Sequence, residues 1–232
     1  MEAFLMLLRW LHFLFGITWI GLLYYFNLVQ VPFFAETEPP VRSGAVQKLV
    51  PRALWWFRWG AMGTVIVGLL YLLIRWGQLG FAPFVFTPYG VAILTGGTLG
   101  IIMFLNVWLV IWPNQKIVIA SAIAVAGGGQ ADPAAAGSGR RAGLASRTNT
   151  LFSIPMLFFM GAASHYTLFV EASSGGVAAW IILGAIIIGL VEANALVGTT
   201  GPTKKPLDTI PGVITAGFVL WLILVLLIVI VL

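Results

Sequence analysis

Six apolar runs, each about twenty residues or longer, set the terms for anything this chain can fold into. They cover about residues 4–31, 54–76, 89–112, 148–170, 176–197 and 209–232. An α-helix rises about 1.5 Å per residue, so about 20 apolar residues cross the ~30 Å hydrocarbon layer of a bilayer. The expected fold is therefore all-α: a polytopic membrane bundle of six transmembrane helices forming one domain over residues 1–232. Charge agrees, because only 8% of the 232 residues are Asp, Glu, Lys or Arg, against roughly 25% in a soluble domain. The first run is too long for the apolar core of a signal peptide and lacks its basic flank and small-residue cleavage site, so it is read as a span.

The connections carry the remaining information. A polar stretch over 35–52, with Pro39-Pro40, reads as the first substantial loop. Residues 114–126 are apolar but short and read as an interfacial helix, and the Gly/Ala/Pro-rich tract that follows reads as a mobile loop over about 126–145. Ser146 or Asn149 is placed to cap the fourth run, and Pro155 lies inside it. Gly96 and Gly100 stand at the G-x-x-x-G spacing that lets a second helix approach.

Lys and Arg accumulate on the cytoplasmic side of a bilayer. The connections after runs one, three and five contain Arg42, Lys48, Arg52, Lys116, Arg140, Arg141, Arg147, Lys204 and Lys205, whereas those after runs two and four contain only Arg75. This bias places both termini outside the cytoplasm, in a bacterial inner membrane. The net charge of +5 is thus a topology signal, and no nucleic-acid partner is expected.

Ionisable groups inside spans are costly and therefore candidates for function. The two histidines, His12 and His165, both fall inside runs. Counted from the outer ends of their spans, they lie at similar depths. Two neutral imidazoles facing each other at one level suit a six-coordinate haem b, which needs no cysteine, and this chain has none. Gly16 and Gly161, one turn from each histidine, offer room for a flat macrocycle; Trp19 extends the His12 face, and Arg9 is placed to meet a propionate. The same imidazoles suit copper or another transition metal. The alternative is that each histidine hydrogen-bonds across helices while the glycines merely permit packing. Glu192, the one carboxylate well inside a span, reads either as a proton relay or as an acid bonded to a polar partner such as Asn27 or Asn106. Arg58 reads as a snorkelling anchor, and Trp55, Trp56, Trp59, Trp76 and Trp112 as an interfacial belt.

Several clusters taken together resemble a known family. They are Arg9-Trp10-Leu11-His12 with Gly16-Ile17-Thr18-Trp19-Ile20-Gly21 and Tyr24-Tyr25-Phe26; Asn106-Val107-Trp108 through Trp112-Pro113-Asn114-Gln115-Lys116; Ser146-Arg147 and Asn149-Thr150 with Pro155; and Ser164-His165-Tyr166. The chain resembles the membrane domain of bacterial membrane-bound urate oxidases (urate hydroxylases). Full-length members of that family continue into an external c-type cytochrome domain, which implies an outward C-terminus and carries His12 and His165 across as important positions. This chain ends at Leu232 without a cysteine, and it has Thr148 where the family pattern leads to a histidine.

Two readings follow. In the first, a membrane redox protein holds haem b between His12 and His165 and exchanges electrons with a periplasmic c-type cytochrome. In the second, a non-catalytic accessory subunit of a respiratory or photosynthetic complex packs against partner chains and lipid. Solute transport fits less well, because the spans show neither repeats nor paired interruptions.

Overall fold

The computed structural model describes residues 1–169 and 171–232, with the main chain alone at Phe81 and Ala82. Six long helical rods account for most of the chain: α1 (Glu2–Glu36), α2 (Pro39–Leu79), α3 (Pro88–Ala126), α4 (Ala135–His165), α5 (Ser174–Leu196) and α6 (Ile210–Val231). There is no strand among the described residues. All of these rods except α4 are long and apolar enough to cross a membrane. The expected limit of the fourth run, Val170, lies outside the described residues.

α4 is the most polar rod because it is the central one. It packs against α3 and α6 along much of its length and also touches α1 and α5. Its buried residues include Ser138, Thr148, Asn149, Thr150 and Ser153. A helix shielded by its neighbours need not be apolar all round, whereas α5 and α6 turn rows of Ile, Leu and Val outward.

The helices extend beyond the expected runs, and the loops shrink accordingly. The stretch over 35–52 is not a loop: only Thr37 and Glu38 separate α1 from α2, since Pro39 and Pro40 occupy the first turn of α2, where a missing N–H costs nothing. Residues 114–126 are not a separate interfacial helix but the continuation of α3. The tract expected as a loop over 126–145 is helical from Ala135, where alanine-rich sequence favours a helix and Ala142, Leu144 and Ala145 find burial. Ser146 and Asn149 consequently lie mid-helix and do not act as caps. Thr87, Ser173 and Thr209 do cap α3, α5 and α6, each accepting a bond from the main-chain N–H three residues on.

Side-chain contacts order the ends of the bundle. Arg140 bonds the carbonyl of Thr199 and the carboxylate of Asp208, Arg147 donates to the Leu207 carbonyl, and buried Lys204 donates to the Val197 carbonyl. The start of α4 and the connection after α5 therefore share one end, the basic end. At the opposite end Arg9 near the start of α1 meets Tyr71 near the finish of α2, and the start of α5 abuts the finish of α6 at Gly176 and Val231.

Candidate functional site

Polar residues spaced along apolar helices meet in a layer across the bundle. Asn106 of α3 donates its side-chain amide to Asn149 Oδ1 of α4 at 2.9 Å and to Glu192 Oε2 of α5 at 3.1 Å. Asn149 in turn donates to the Met103 carbonyl at 2.9 Å. One turn away on α4, Ser146 Oγ accepts from Asn27 of α1 at 2.8 Å, and Ser153 Oγ lies 2.9 Å from Tyr24 Oη. Glu192 therefore bonds to a polar partner, Asn106. A single carboxylate in an amide pair holds helices together; it does not by itself make a proton path. Within the layer, buried Thr148 Oγ1 has no hydrogen-bond partner.

Two of the four rods that feed this layer change helical register there. α1 contains a π-helical segment, Tyr25–Gln30, and α3 contains another, Asn106–Ile111. The wider turn displaces carbonyls from their usual partners, and asparagine amides take up carbonyls just ahead of each segment: Asn27 at Leu23 and Asn149 at Met103. The sequence shows these asparagines inside apolar runs but not the π segments that give them something to bind.

The expected haem residues divide into two groups. His12 turns toward α2, with Nδ1 2.9 Å from the Thr64 carbonyl, and its ring lies where a side chain at Gly68 would stand. Gly16 also faces Thr64, buried Trp19 packs in the same seam beside Gly60, and Arg9 donates to Tyr71. His165 and Gly161, by contrast, are exposed near the finish of α4. Counting from the Tyr24–Ser153 contact, each histidine lies twelve residues toward the opposite end, about 18 Å along its own helix. His12 points into the α1–α2 seam, whereas His165 is exposed. At about 100° per residue, His12 sits about 120° round α1 from Tyr24, the side that meets α4. On that side Ile17, Phe13 and Trp10 are exposed, so the two helices part outward from the polar layer. No group of three or more His, Asp or Glu that could hold a metal occurs among the described residues.

Against known families, residues 78–228 match the urate oxidase N-terminal family. The chain belongs to that family. The matched part holds α3 to α5 and most of α6, with the Asn106–Asn149–Glu192 layer and His165, while His12, Arg9, Gly16 and Trp19 precede it. No curated protein and no solved structure matches. Membership in the urate oxidase N-terminal family and the apolar rods together make this a multi-pass membrane protein in contact with lipid.

Arg58, expected as an anchor, packs on aromatic rings. Its guanidinium stacks over the Trp112 ring at 3.5 Å and lies 5.4 Å from the Trp108 ring, with Trp55, Trp56 and Trp59 clustered beside it. Of the Gly96 and Gly100 pair, only Gly96 meets another helix: a Cβ there would lie 3.2 Å from the Met160 main-chain N of α4, whereas none lies within 4 Å at Gly100.

Proposed function

We propose that the chain crosses a bacterial inner membrane six times, with α4 as the shielded central span and both termini outside the cytoplasm, and that it serves as a non-catalytic subunit of an electron-transferring membrane complex. Charge asymmetry supports the orientation, since the basic end gathers the cationic connections. The family supports the redox setting, because a urate oxidase N-terminal domain is by its description one part of an oxidase. One observation carries the non-catalytic reading: the His12 ring turns into the α1–α2 seam over Gly68, about 120° round α1 from the side that meets α4, the helix on which His165 lies exposed.

A second reading has its own support. A carbonyl partner at Nδ1 leaves His12 Nε2 with a free lone pair, and His165 stands at the same level with open space beside Gly161. On this reading His12 and His165 hold haem b, which supplies a one-electron carrier for an external c-type cytochrome.

One measurement separates the two. Protein purified from its native membrane is reduced, and its absorption spectrum is compared with that of the oxidised protein. The accessory role predicts no b-type signal in proportion to this chain, together with companion redox subunits in fixed ratio. A stoichiometric b-type signal, lost in both His12→Ala and His165→Ala, rejects the accessory role and establishes the haem reading.

A further inference from the structure

At the end opposite the basic one, an open cavity of about 430 Å³ lies between the first turns of α1 and the last turns of α2. Its polar wall is Glu2, Arg9, Tyr71 and Arg75, and its apolar wall includes Leu5 and Met6. Arg9 donates to Tyr71 and lies over its ring, 5.3 Å from the centroid. Arg75 donates Nη1 to Gln78 Oε1 at 3.1 Å, while its Nε is buried with no partner. Among the described residues the one ion pair is Arg140–Asp208, so neither arginine closes on Glu2. Two cations, one anion and a phenol thus border a single space with no ion pair closed among them. From its rim an apolar strip runs along one face of α1 through Met6, Trp10, Phe13 and Ile17, all exposed.

We propose that this cavity seats the headgroup of a zwitterionic phospholipid carrying a primary amine. Its phosphate lies between Arg9 and Arg75, its ammonium faces Glu2, and an acyl chain follows the α1 strip. Guanidinium donors suit phosphate oxygens, and arginine near a span end reaches the headgroup level while its methylenes stay in the apolar zone. Glu2 decides among lipids. A carboxylate beside the phosphate site repels a headgroup that is anionic overall and leaves a quaternary choline without a charge-assisted hydrogen bond. This assignment is independent of the proposed subunit role.

The test uses the full chain in nanodiscs of equal phosphatidylethanolamine, phosphatidylglycerol and phosphatidylcholine, with retained lipid read by native mass spectrometry. Phosphatidylethanolamine is expected to be retained over both competitors. Arg75→Gln is expected to lower that retention roughly tenfold, as for loss of a charge-assisted hydrogen bond. Glu2→Gln is expected to keep a bound phospholipid but lose the preference over phosphatidylglycerol. Equal retention of the three lipids, preference for phosphatidylglycerol in the unaltered chain, or indifference to Arg75→Gln overturns the proposal. Displacement by inorganic phosphate overturns it too, since that marks a free-anion site. Unchanged helical content of Arg75→Gln and Glu2→Gln guards against misfolding, and Gly189→Ala, on α5 with open space around it and outside the cavity, should retain the lipid preference; loss there would count against a site made by these charges.

Discussion

Asn149 donates its side-chain amide to the main-chain carbonyl of Met103, one turn ahead of the π-helical segment that opens at Asn106. The central helix thus satisfies a carbonyl at the point where α3 changes register, and Asn106 returns the contact at Asn149 Oδ1. Neither change is stable alone. A wider turn in lipid leaves main-chain groups that must be paired, and an asparagine in lipid needs something to pair with.

This reciprocity makes the layer testable at Glu192. Glu192→Gln keeps an oxygen for Asn106 and should leave stability nearly unchanged, whereas Glu192→Leu strands one amide hydrogen. A double-mutant cycle of Asn106→Ala with Glu192→Leu should give a coupling of about 0.6–1.7 kcal/mol, the range for bonds between membrane helices. Unfolding in increasing anionic detergent measures it; zero coupling would remove Glu192 from the layer.

His12 and Gly68 form a second pair. A Cβ at Gly68 would lie 2.8 Å from His12 Cε1 and 2.9 Å from Nδ1. Gly68→Ala should therefore push the ring off the Thr64 carbonyl and destabilise the fold by about 1–2 kcal/mol. In a His12→Ala background the same change should cost nothing. Equal cost in both backgrounds, read from thermal unfolding, would show that the ring is not what Gly68 accommodates.

Glycine spacing alone misjudges which glycines matter. At Gly217 of α6 a Cβ would meet the Leu151 carbonyl of α4 at 2.9 Å and Ile154 Cδ1 at 2.5 Å, and a main-chain oxygen cannot turn aside. Gly217→Ala should cost about 1–3 kcal/mol by overpacking. Gly100→Ala, with open space, should be neutral or up to about 1 kcal/mol stabilising through helix propensity. Comparing the two melting temperatures checks the order.

Arg58 and Trp112 supply a surface test. Trp112→Leu removes the ring stacked at 3.5 Å and should lower stability by about 1 kcal/mol. Arg58→Lys should recover only part of the contact, because an ammonium does not stack as a planar guanidinium does. Full activity of Arg58→Lys in holding the fold, measured in the same detergent titration, would reduce the pair to charge alone.

Particular residues show where reading the chain stops. A polar partner for Glu192 was legible, because a carboxyl in an apolar background has few alternatives, but the choice between Asn27 and Asn106 was not, and packing gave it to Asn106. The direction of His12 was not legible, because which side of α1 meets α4 depends on where Tyr24 and Ser153 find each other. Helix length was underestimated at both Pro39 and Ala135: polarity ends an apolar run, but it does not end a helix whose neighbours continue beside it.

The order of amino acids by itself determined that this chain makes long apolar helices and gathers its cationic connections at one end, because lipid accepts little else and charge is carried by residue type alone. Only the tertiary structure decided that the least apolar helix lies at the centre, that two rods widen into π turns to meet asparagines, and that His12 serves a helix seam. Those outcomes depend on which faces come together, and a face acquires its meaning from the neighbour packed against it.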